Sequence, residues 1–344
     1  MSLITIWKKP REKRFPKSIE YLLYGQEQME KMILTIYNHH KKIGFPYYPT
    51  DKLWRYEKFQ QLQRTEYVSL LEEDKSIRQT MVGLSLAWSY MPHSFSVQCG
   101  NMRTPLQAYE DDGVFLKVVR KMITMNVGTT TNSLRKTLRI YTGTQGVSNF
   151  RPSASACIYH HFDCKGKTVW DMSCGYGGRV LGADLVGVGK YVGTEPCGIT
   201  YNGLREMISD WITIPTEIHQ CGSEEYVPER ESLDFCFTSP PYFDTEKYSS
   251  EDTQSWIKYP TKEKWLNGFL KKTFENCHKG LKTDGKMVIN IANVKSYPTL
   301  EEDTVKVAKD VGFKLIDTWK LSLSSMPSAD TKFKYEPIFI FQKA

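Results

Sequence analysis

The five residues Thr238-Ser239-Pro240-Pro241-Tyr242 directly follow an apolar run and could do chemistry on a planar nitrogen. Two consecutive prolines end a strand, because they fix φ and lack the amide hydrogen that a sheet requires, so the carbonyls of this turn stay free. An aromatic amine is a poor nucleophile until acceptors hold its hydrogens and turn it towards tetrahedral geometry. The Ser239 hydroxyl and the Pro240 carbonyl are the candidate acceptors, and Tyr242 could stack on the aromatic ring.

A second candidate segment, Asp171-Met-Ser-Cys-Gly175-Tyr-Gly177-Gly178, lies between a β-like run and a helical pattern. Its glycines let the backbone approach a ligand that a side chain would exclude. Twenty residues after Gly175, Glu195 follows the next β-like run, where a carboxylate can accept hydrogen bonds from both hydroxyls of a ribose. The pairing predicts a nucleoside-containing cofactor and leaves dinucleotides and S-adenosylmethionine (SAM) open.

TSPPY and DMSCGYGG together resemble the motifs of the SAM-dependent amino-methyltransferases that modify cytosine N4 or adenine N6 in DNA. The resemblance spans about residues 145–344 and implies SAM as the cofactor, DNA as the partner and a flipped base as the substrate. It implies that Ser239, Pro240, Pro241 and Tyr242 are catalytic. Serine in the first position resembles the cytosine-N4 group more than the adenine-N6 group, in which aspartate is commoner.

The same resemblance implies which residues hold the cofactor. The segment 146–152 is similar to the motif that covers bound SAM, with Phe150 as the contact, and Glu195 matches the ribose-binding acid. The segment 221–225 lacks the aspartate usual beside the adenine, which leaves Ser223 or Glu224 as candidates. The full expected cofactor-binding set is Phe150, Asp171, Gly175, Gly177, Glu195, Ser223 and Thr238. The last run, KYEPIFIFQK, resembles the closing strand of that family.

From residue 167 onward, short β-like runs alternate with longer helical patterns, which predicts an α/β fold with a doubly wound, mostly parallel sheet. The resemblance makes this a Rossmann-like, seven-stranded methyltransferase sheet. The expected strands are 168–174, 191–196, 216–222, 233–239, 286–294, 314–323 and 336–343, and the expected helices are 178–186, 198–211, 262–282 and 300–311. The candidate motifs follow expected strands, at the edge where such sheets bind ligands.

Charge divides the chain unevenly, since residues 1–150 carry a net charge of +9 and the remainder carries −2. Helical patterns at 18–42 and 105–125 predict a mainly helical, basic domain over 1–145 that recognises nucleic acid, followed by the methyltransferase domain over 146–344. The aromatic and basic segment 45–64 could stack bases, but an amphipathic helix is favoured there. Its inward set would be Leu53, Trp54, Tyr56 and Phe59.

The eight cysteines form no CxxC pair and no spacing typical of zinc sites, which favours a reduced, cytoplasmic protein without structural metal. Residues 1–18 lack the pattern of a secretory signal. The longest uncharged run, 79–102, is interrupted by polar residues, so no membrane segment is expected.

Two other functions remain open from the sequence. The same chemistry could act on RNA or on a protein glutamine, because related PPY motifs serve other planar nitrogens. A regulator with this fold could bind nucleic acid without turnover, and it would show salt-dependent binding but no methylated product.

Overall fold

The computed structural model describes residues 25–125, 127–141, 143–323 and 334–343. Its α-helices in chain order are α1 (Gln26–Ile43), α2 (Lys52–Gln63), α3 (Leu84–Trp88), α4 (Pro105–Glu110), α5 (Asp112–Thr124), α6 (Thr131–Ile140), α7 (Pro152–His161), α8 (Gly178–Val186), α9 (Gly198–Trp211), α10 (Ser255–Lys258), α11 (Lys262–Trp265), α12 (Lys272–Gly280) and α13 (Leu300–Val311). Its strands are β1 (Ser76–Ile77), β2 (Gln98–Cys99), β3 (Thr168–Asp171), β4 (Lys190–Thr194), β5 (Thr216–His219), β6 (Leu233–Thr238), β7 (Glu246–Lys247), β8 (Leu281–Asn290), β9 (Phe313–Ser322) and β10 (Tyr335–Lys343). Among the described helices, none is long and apolar enough to cross a bilayer.

Eight strands form one mixed sheet in the order β1-β9-β10-β8-β6-β3-β4-β5. The strands β3, β4, β5, β6 and β8 pair in parallel, and β10 runs antiparallel to both of its neighbours. The chain enters the sheet's middle at β3, proceeds outward to β5 and returns to β6, so the strand order reverses between β3 and β6. The predicted Rossmann-like α/β sheet is confirmed, and β1 adds a short eighth strand beside β9.

The expected helices at 178–186, 198–211 and 300–311 coincide with α8, α9 and α13. The helical pattern over 105–125 corresponds to two helices, α4 and α5, because Asp111 separates them with an extended backbone (φ −73°, ψ 104°). The Asp111 carboxylate accepts a hydrogen bond from Val114 N at 3.0 Å and so caps α5. Within the described residues, the helix expected over 18–42 corresponds to α1, and residues 18–24 lie outside the described part of the chain.

The chain divides into two compact units. Unit 1 comprises Met1–Tyr47 and Asn101–Gly146, and unit 2 comprises Tyr48–Gly100 and Val147–Ala344. This division differs from the expected domain over 1–145, because residues 48–100 belong with the sheet. There, β1 pairs with β9. In the same segment, the Trp88 ring lies 5.0 Å from the ring of Tyr176 in the glycine-rich loop.

The described residues of unit 1 are mainly helical, and unit 1 carries the chain's net positive charge. Its helices α1, α5 and α6 bury their apolar faces in one cluster, whose members include Ile33, Ile36, Phe115, Val118, Met122, Leu134 and Leu138. Residues 48–100 carry equal numbers of basic and acidic side chains, so the net charge of +9 belongs to unit 1. The charge asymmetry seen in the sequence therefore follows the boundary between the two units.

In the aromatic segment 45–64, the expected helix is confirmed as α2, but its inward set is partly wrong. Trp54 and Phe59 are half-buried, whereas Leu53 is 64% exposed and Tyr56 is 49% exposed. Arg55 is buried in their place, because its guanidinium donates to a buried hydroxyl and a buried carbonyl at the end of α3. Burial of a charged side chain with such partners is not visible in apolar periodicity.

The helices α7 and α8 pack closely because two glycines lie one turn apart on α8. A Cβ at Gly178 would lie 1.8 Å from the Phe150 carbonyl oxygen, so no other residue fits without movement. A Cβ at Gly182 would lie 2.1 Å from Ser155 Oγ and 2.7 Å from Ala156 N. This contact fixes α8, and with it the loop that precedes α8, against the chain leading into α7.

We expect Gly182→Ala to lower the free energy of unfolding by about 1–3 kcal/mol or more, because the new methyl group overpacks the contact between α7 and α8. The matched control is Gly113→Ala in α5, where the nearest atom to a new Cβ is 3.4 Å away. Urea denaturation measures both. Equal stability of the Gly182→Ala variant and the native protein would contradict the packing described here.

Candidate functional site

The ends of β3 and β6 are joined by the side chain of Thr238. Its hydroxyl donates to Asp171 Oδ1 at 2.9 Å and accepts from Ser173 N at 3.1 Å. Thr238 is the last residue of β6, and Ser173 lies in the glycine-rich loop that follows β3. The two motifs singled out in the sequence therefore begin side by side, at the point where the strand order of the sheet reverses.

Asp171 is wholly buried, and each of its carboxylate oxygens accepts two hydrogen bonds. Oδ2 accepts from Arg179 Nε at 2.7 Å and from Tyr191 Oη at 2.6 Å. Oδ1 accepts from Thr238 Oγ1 at 2.9 Å and from Ser173 N at 3.3 Å. This differs from the expected contact with a cofactor, because these donors occupy the acceptor positions. Asp171 instead holds the loop, and Arg179 also donates to the Ser173 carbonyl.

The glycines of the loop have different tasks. Gly175 has φ +51°, a conformation that favours glycine, and only the Ser173 carbonyl oxygen comes within 4 Å of a Cβ placed there, at 3.8 Å. Gly177 has φ +80°, and a Cβ there would lie 2.3 Å from the side chain of Met207 on α9. Gly177 therefore permits close packing, whereas Gly175 leaves open space beside the backbone that a ligand could use.

Glu195 follows β4 and faces the glycine-rich loop. Its carboxylate accepts hydrogen bonds from Gly175 N at 3.1 Å and from Cys197 N at 2.9 Å. Within the described part of the chain it makes no ion pair, and burial raises its pKa to about 7 against the opposing effect of these two donors. A buried carboxylate without a cation has acceptor capacity left over, and a pair of hydroxyl donors would stabilise its charged form.

The turn after Thr238 presents polar atoms beside the same loop. Ser239 and Pro241 are half-buried and Pro240 is buried, so the turn is only partly covered by protein. The residue after Tyr242, Phe243, adopts φ +58°, a left-handed conformation that is costly for a non-glycine residue. Its ring packs edge-on against the rings of Trp265 and Tyr297. Packing thus maintains an unfavourable backbone directly after the motif.

The Tyr242 hydroxyl lies in a network at the edge where the parallel strands end. It donates to Glu336 Oε2 at 3.0 Å and lies 3.4 Å from Asn290 Oδ1 and 3.5 Å from Ser239 Oγ. Asn290 ends β8, and Glu336 lies near the start of β10, whose antiparallel direction brings it to this edge. Burial and the negative charge of Glu336 raise the pKa of Tyr242 well above its usual value.

Two further residues of the expected cofactor-binding set lie in different surroundings. The half-buried Phe150 contacts the Phe237 ring edge-on at 5.3 Å, close to the end of β6. Ser223 is 2% exposed, and its hydroxyl lies 2.7 Å from Thr273 Oγ1 on α12. Phe150 is therefore beside the strand ends, whereas the hydroxyl of Ser223 faces α12. The alternative to Ser223, Glu224, pairs with Lys258 at 2.7 Å.

The chain after the motif crosses the strand-end edge of unit 2. The strand β7 in this segment pairs with β2. Glu246 accepts a hydrogen bond from Ser148 N at 3.4 Å and another from the Tyr248 hydroxyl. The Glu251 carboxylate accepts from Gly198 N at 3.0 Å, at the start of α9, where a negative charge is favourable. This segment therefore forms a cover that contacts both the chain before Phe150 and the chain after Glu195.

Sequence reasoning missed the residues that surround the motifs from other strands. Asn290 and Glu336 lie far from Tyr242 in sequence, and each reaches its hydroxyl only through the tertiary fold. Glu246 follows Tyr242 by four residues, but its contact with Ser148 N also depends on the tertiary fold. Glu336 carried a weak signal, since it is an isolated acid at the start of an otherwise apolar closing strand. Among the described residues, no cluster of histidine, cysteine and carboxylate side chains could hold a metal ion.

Comparison with protein families finds one match, to a family model described as DNA methylase, over residues 233–344. The matched region begins at β6 and includes Ser239-Pro240-Pro241-Tyr242 and the closing strand β10. It does not include the glycine-rich loop or Glu195. The match supports methyl transfer as the activity and agrees with SAM as the cofactor expected from the sequence. No curated protein matches the chain.

Solved structures of methyltransferases resemble part of the chain. A SAM-dependent O-methyltransferase from Thermotoga maritima is 16% identical with a TM-score of 0.41, and the alignment covers 57% of this chain and 67% of that one. A TehB-like SAM-dependent methyltransferase from Corynebacterium glutamicum is 14% identical with a TM-score of 0.39, over 57% and 90% of the two chains. Magnesium protoporphyrin IX methyltransferase from Synechocystis PCC 6803, with bound SAH, is 12% identical with a TM-score of 0.40, over 56% and 80%. At these scores none of them assigns a substrate to this chain.

We expect Glu195→Gln to change how stability depends on pH. Because the folded protein raises the pKa of Glu195 from 4.5 to about 7, its contribution to stability is fully present below pH 4.5 and is lost as the pH rises through 7. Between pH 4.5 and 8, the native protein should therefore lose on the order of 3 kcal/mol relative to the Glu195→Gln variant. Urea denaturation at several pH values measures this difference. The exposed Glu302→Gln is the control. If the stability of the native and Glu195→Gln proteins depends on pH in the same way, burial without an ion pair does not raise the pKa of Glu195.

Proposed function

We propose that unit 2 transfers a methyl group from SAM to the exocyclic amine of a flipped DNA base. The observation that carries the proposal is the hydroxyl of Thr238, which joins the glycine-rich loop to the Ser239-Pro240-Pro241-Tyr242 turn. A cofactor held by the loop and a substrate held by the turn would then be neighbours. The DNA methylase match over residues 233–344 supports the reaction class.

The residues around the loop suit SAM. Glu195 offers a buried carboxylate with spare acceptor capacity for the two ribose hydroxyls, and Gly175 leaves open space beside the backbone. Phe150 lies close to the end of β6, where it can cover a ligand. When bound, SAM supplies a methyl group on a sulfonium, which leaves as a neutral thioether. Asp171 acts indirectly by holding the loop, and Gly177 by letting the loop pack against α9.

The turn can prepare the amine for attack. The Ser239 hydroxyl and the Pro240 carbonyl are acceptors for its two hydrogens, and fixing both hydrogens turns the nitrogen lone pair out of the ring. The two prolines prevent the turn from entering the sheet, so its carbonyls remain available. Tyr242 has its hydroxyl anchored by Glu336 at 3.0 Å, which holds the ring in one orientation beside the turn. A ring fixed in this way can stack on a flipped base.

Cytosine N4 is the favoured acceptor, and adenine N6 is the alternative within the same chemistry. The preference follows from Ser239, since serine in the first position of this motif resembles the amino-methyltransferases that act on cytosine N4 more than those that act on adenine N6.

Recognition of DNA is assigned to unit 1. Among the described residues of unit 1, four carboxylates pair with Lys31, Lys41, Arg103 and Arg120. Its remaining positive charge can neutralise phosphates.

We expect Ser239→Ala to lower kcat for methyl transfer by about 10²–10³-fold, because one acceptor of the amine hydrogens is lost. The affinity for SAM should stay within about threefold of the native value, since Glu195 and the glycine-rich loop are unchanged. The assay incubates the protein with labelled SAM and varied duplex DNA, digests the DNA to nucleosides and separates N4-methylcytosine from N6-methyladenine. The control variant is Ser232→Ala, which lies before β6 at the opposite end of the strand.

Two outcomes would contradict the proposal. If the native protein binds SAM but forms neither methylated nucleoside on varied DNA, the acceptor is not a DNA base, and the same assay with RNA and with protein tests the alternatives. If the Ser239→Ala variant folds and turns over normally, the turn does not hold the amine.

We expect the double substitution Lys117→Gln and Lys121→Gln to weaken DNA binding. Both side chains are exposed one turn apart on α5, without a carboxylate partner among the described residues. If each contacts a phosphate, the slope of log affinity against log salt should fall by about 1.8. Fluorescence anisotropy with labelled duplex DNA at several salt concentrations measures the slope. The control is Lys306→Gln with Lys309→Gln on α13 in unit 2, and an unchanged slope for the α5 variant would remove α5 from the DNA-binding surface.

A further inference from the structure

The methyl transfer proposed above releases a proton that the site must remove. The nitrogen–carbon bond forms while the sulfur–carbon bond breaks, and the bonding electron pair goes to sulfur. The nitrogen then carries a positive charge and one hydrogen too many, so a base must accept one proton before a neutral methylamine can leave. The sulfonium enters with one positive charge, and this charge leaves the reaction as the released proton.

We propose that Glu336 accepts this proton, through the hydroxyls of Ser239 and Tyr242. The inference rests on the proposed function, because it assigns a role within that same reaction. Ser239 Oγ lies 3.5 Å from Tyr242 Oη, and Tyr242 Oη donates to Glu336 Oε2 at 3.0 Å. When each hydroxyl accepts one proton and donates another, the proton arrives at Glu336 and both hydroxyls are restored.

The surroundings of Glu336 suit a proton acceptor. Burial and the negative charge of Glu301 on α13 raise its pKa, whereas hydrogen bonds from Tyr242 and Asn290 lower it, and the result is a pKa above the ordinary value. On β9, the residue opposite Glu336 is the uncharged Leu321. Among the described residues no cation pairs with Glu336. Accepting a proton would therefore relieve a negative charge that is half-buried and, in the described part of the chain, has no cation beside it.

The placement of Glu336 also makes the chain of hydroxyls continuous. Pro337 follows it and accepts a hydrogen bond from Asn290 Nδ2 at 3.1 Å, which fixes the start of β10 against the end of β8. Asn290 Oδ1 lies 3.4 Å from Tyr242 Oη, so the same asparagine limits the movement of the tyrosine hydroxyl. Glu336 does not face the glycine-rich loop in any of these contacts. Glu336 acts on the reacting amine only through the Tyr242 hydroxyl. It therefore positions that hydroxyl and accepts the released proton without contacting the substrate.

The test compares single-turnover methyl transfer by the native protein with that by Glu336→Gln across pH 4.5–9. In the native protein the rate should rise with pH as Glu336 loses its proton. The Gln variant can still accept the Tyr242 hydrogen bond but cannot accept a proton, so its rate should fall by about 10–100-fold and lose this dependence. A purely structural role would leave both the rate and the pH profile of the Gln variant unchanged.

A second variant moves the pKa without touching the chain of hydroxyls. Glu301→Gln removes the charge that raises the pKa of Glu336, and its side chain can still accept the hydrogen bond from Asn293 N. In a plot of single-turnover rate against pH, the rise on the acidic side should move to lower pH for Glu301→Gln. It should not move for the exposed control Glu302→Gln. The inference would be overturned if the acidic rise of the rate stayed at the native pH in Glu301→Gln, or if Glu336→Gln kept the native dependence of rate on pH.

The outcomes separate this inference from the proposed function. If the native protein transfers no methyl group to DNA, the proposed function fails, and the role of Glu336 fails with it. If the native protein transfers methyl groups and the Glu336→Gln variant matches its rate and pH profile, only the inference fails. Calorimetry with S-adenosylhomocysteine checks that every variant keeps a native cofactor site.

Discussion

The buried carboxylate of Asp171 is the interaction on which the rest of the site depends. It accepts four hydrogen bonds, from Arg179, Tyr191, Thr238 and Ser173, which come from α8, β4, β6 and the glycine-rich loop. A wholly buried carboxylate is tolerated only when it is fully paired and hydrogen-bonded, so these four segments are held in one arrangement. Asp171 thus holds four segments that are separate in sequence in a fixed geometry at one edge of the sheet.

The fixed edge explains how the two motifs can act together. The loop places the open space beside the Gly175 backbone next to Glu195. Thr238 precedes the turn that contains Ser239 and the two prolines. From the other side, β10 and β8 bring Glu336 and Asn290 to the Tyr242 hydroxyl. The proposed chemistry therefore uses a rigid loop, a rigid turn and the half-buried acid Glu336. Their relative positions follow from strand pairing and not from local sequence.

Much of the fold could be predicted from the sequence because its signals are local. The alternation of runs predicted the α/β sheet, and α8, α9 and α13 have the expected bounds. What failed needed tertiary information. Arg55 is buried because the end of α3 supplies its partners, and no apolar pattern indicates them. The placing of residues 48–100 with the sheet depends on β1, a strand too short for periodicity to reveal.

The candidate site divides in the same way. Glycine and proline positions were readable, since they depend on backbone geometry alone, whereas the internal role of Asp171 and the contacts of Glu336 depend on partners distant in sequence. The most direct test of a shared site is calorimetric binding of S-adenosylhomocysteine to Thr238→Val and Thr238→Ser. We predict that valine, which cannot bond Asp171 or Ser173 N, weakens binding at least tenfold, and that serine keeps it near the native affinity. Native affinity in a folded Thr238→Val protein would contradict the claim that Thr238 joins the loop and the turn into one site.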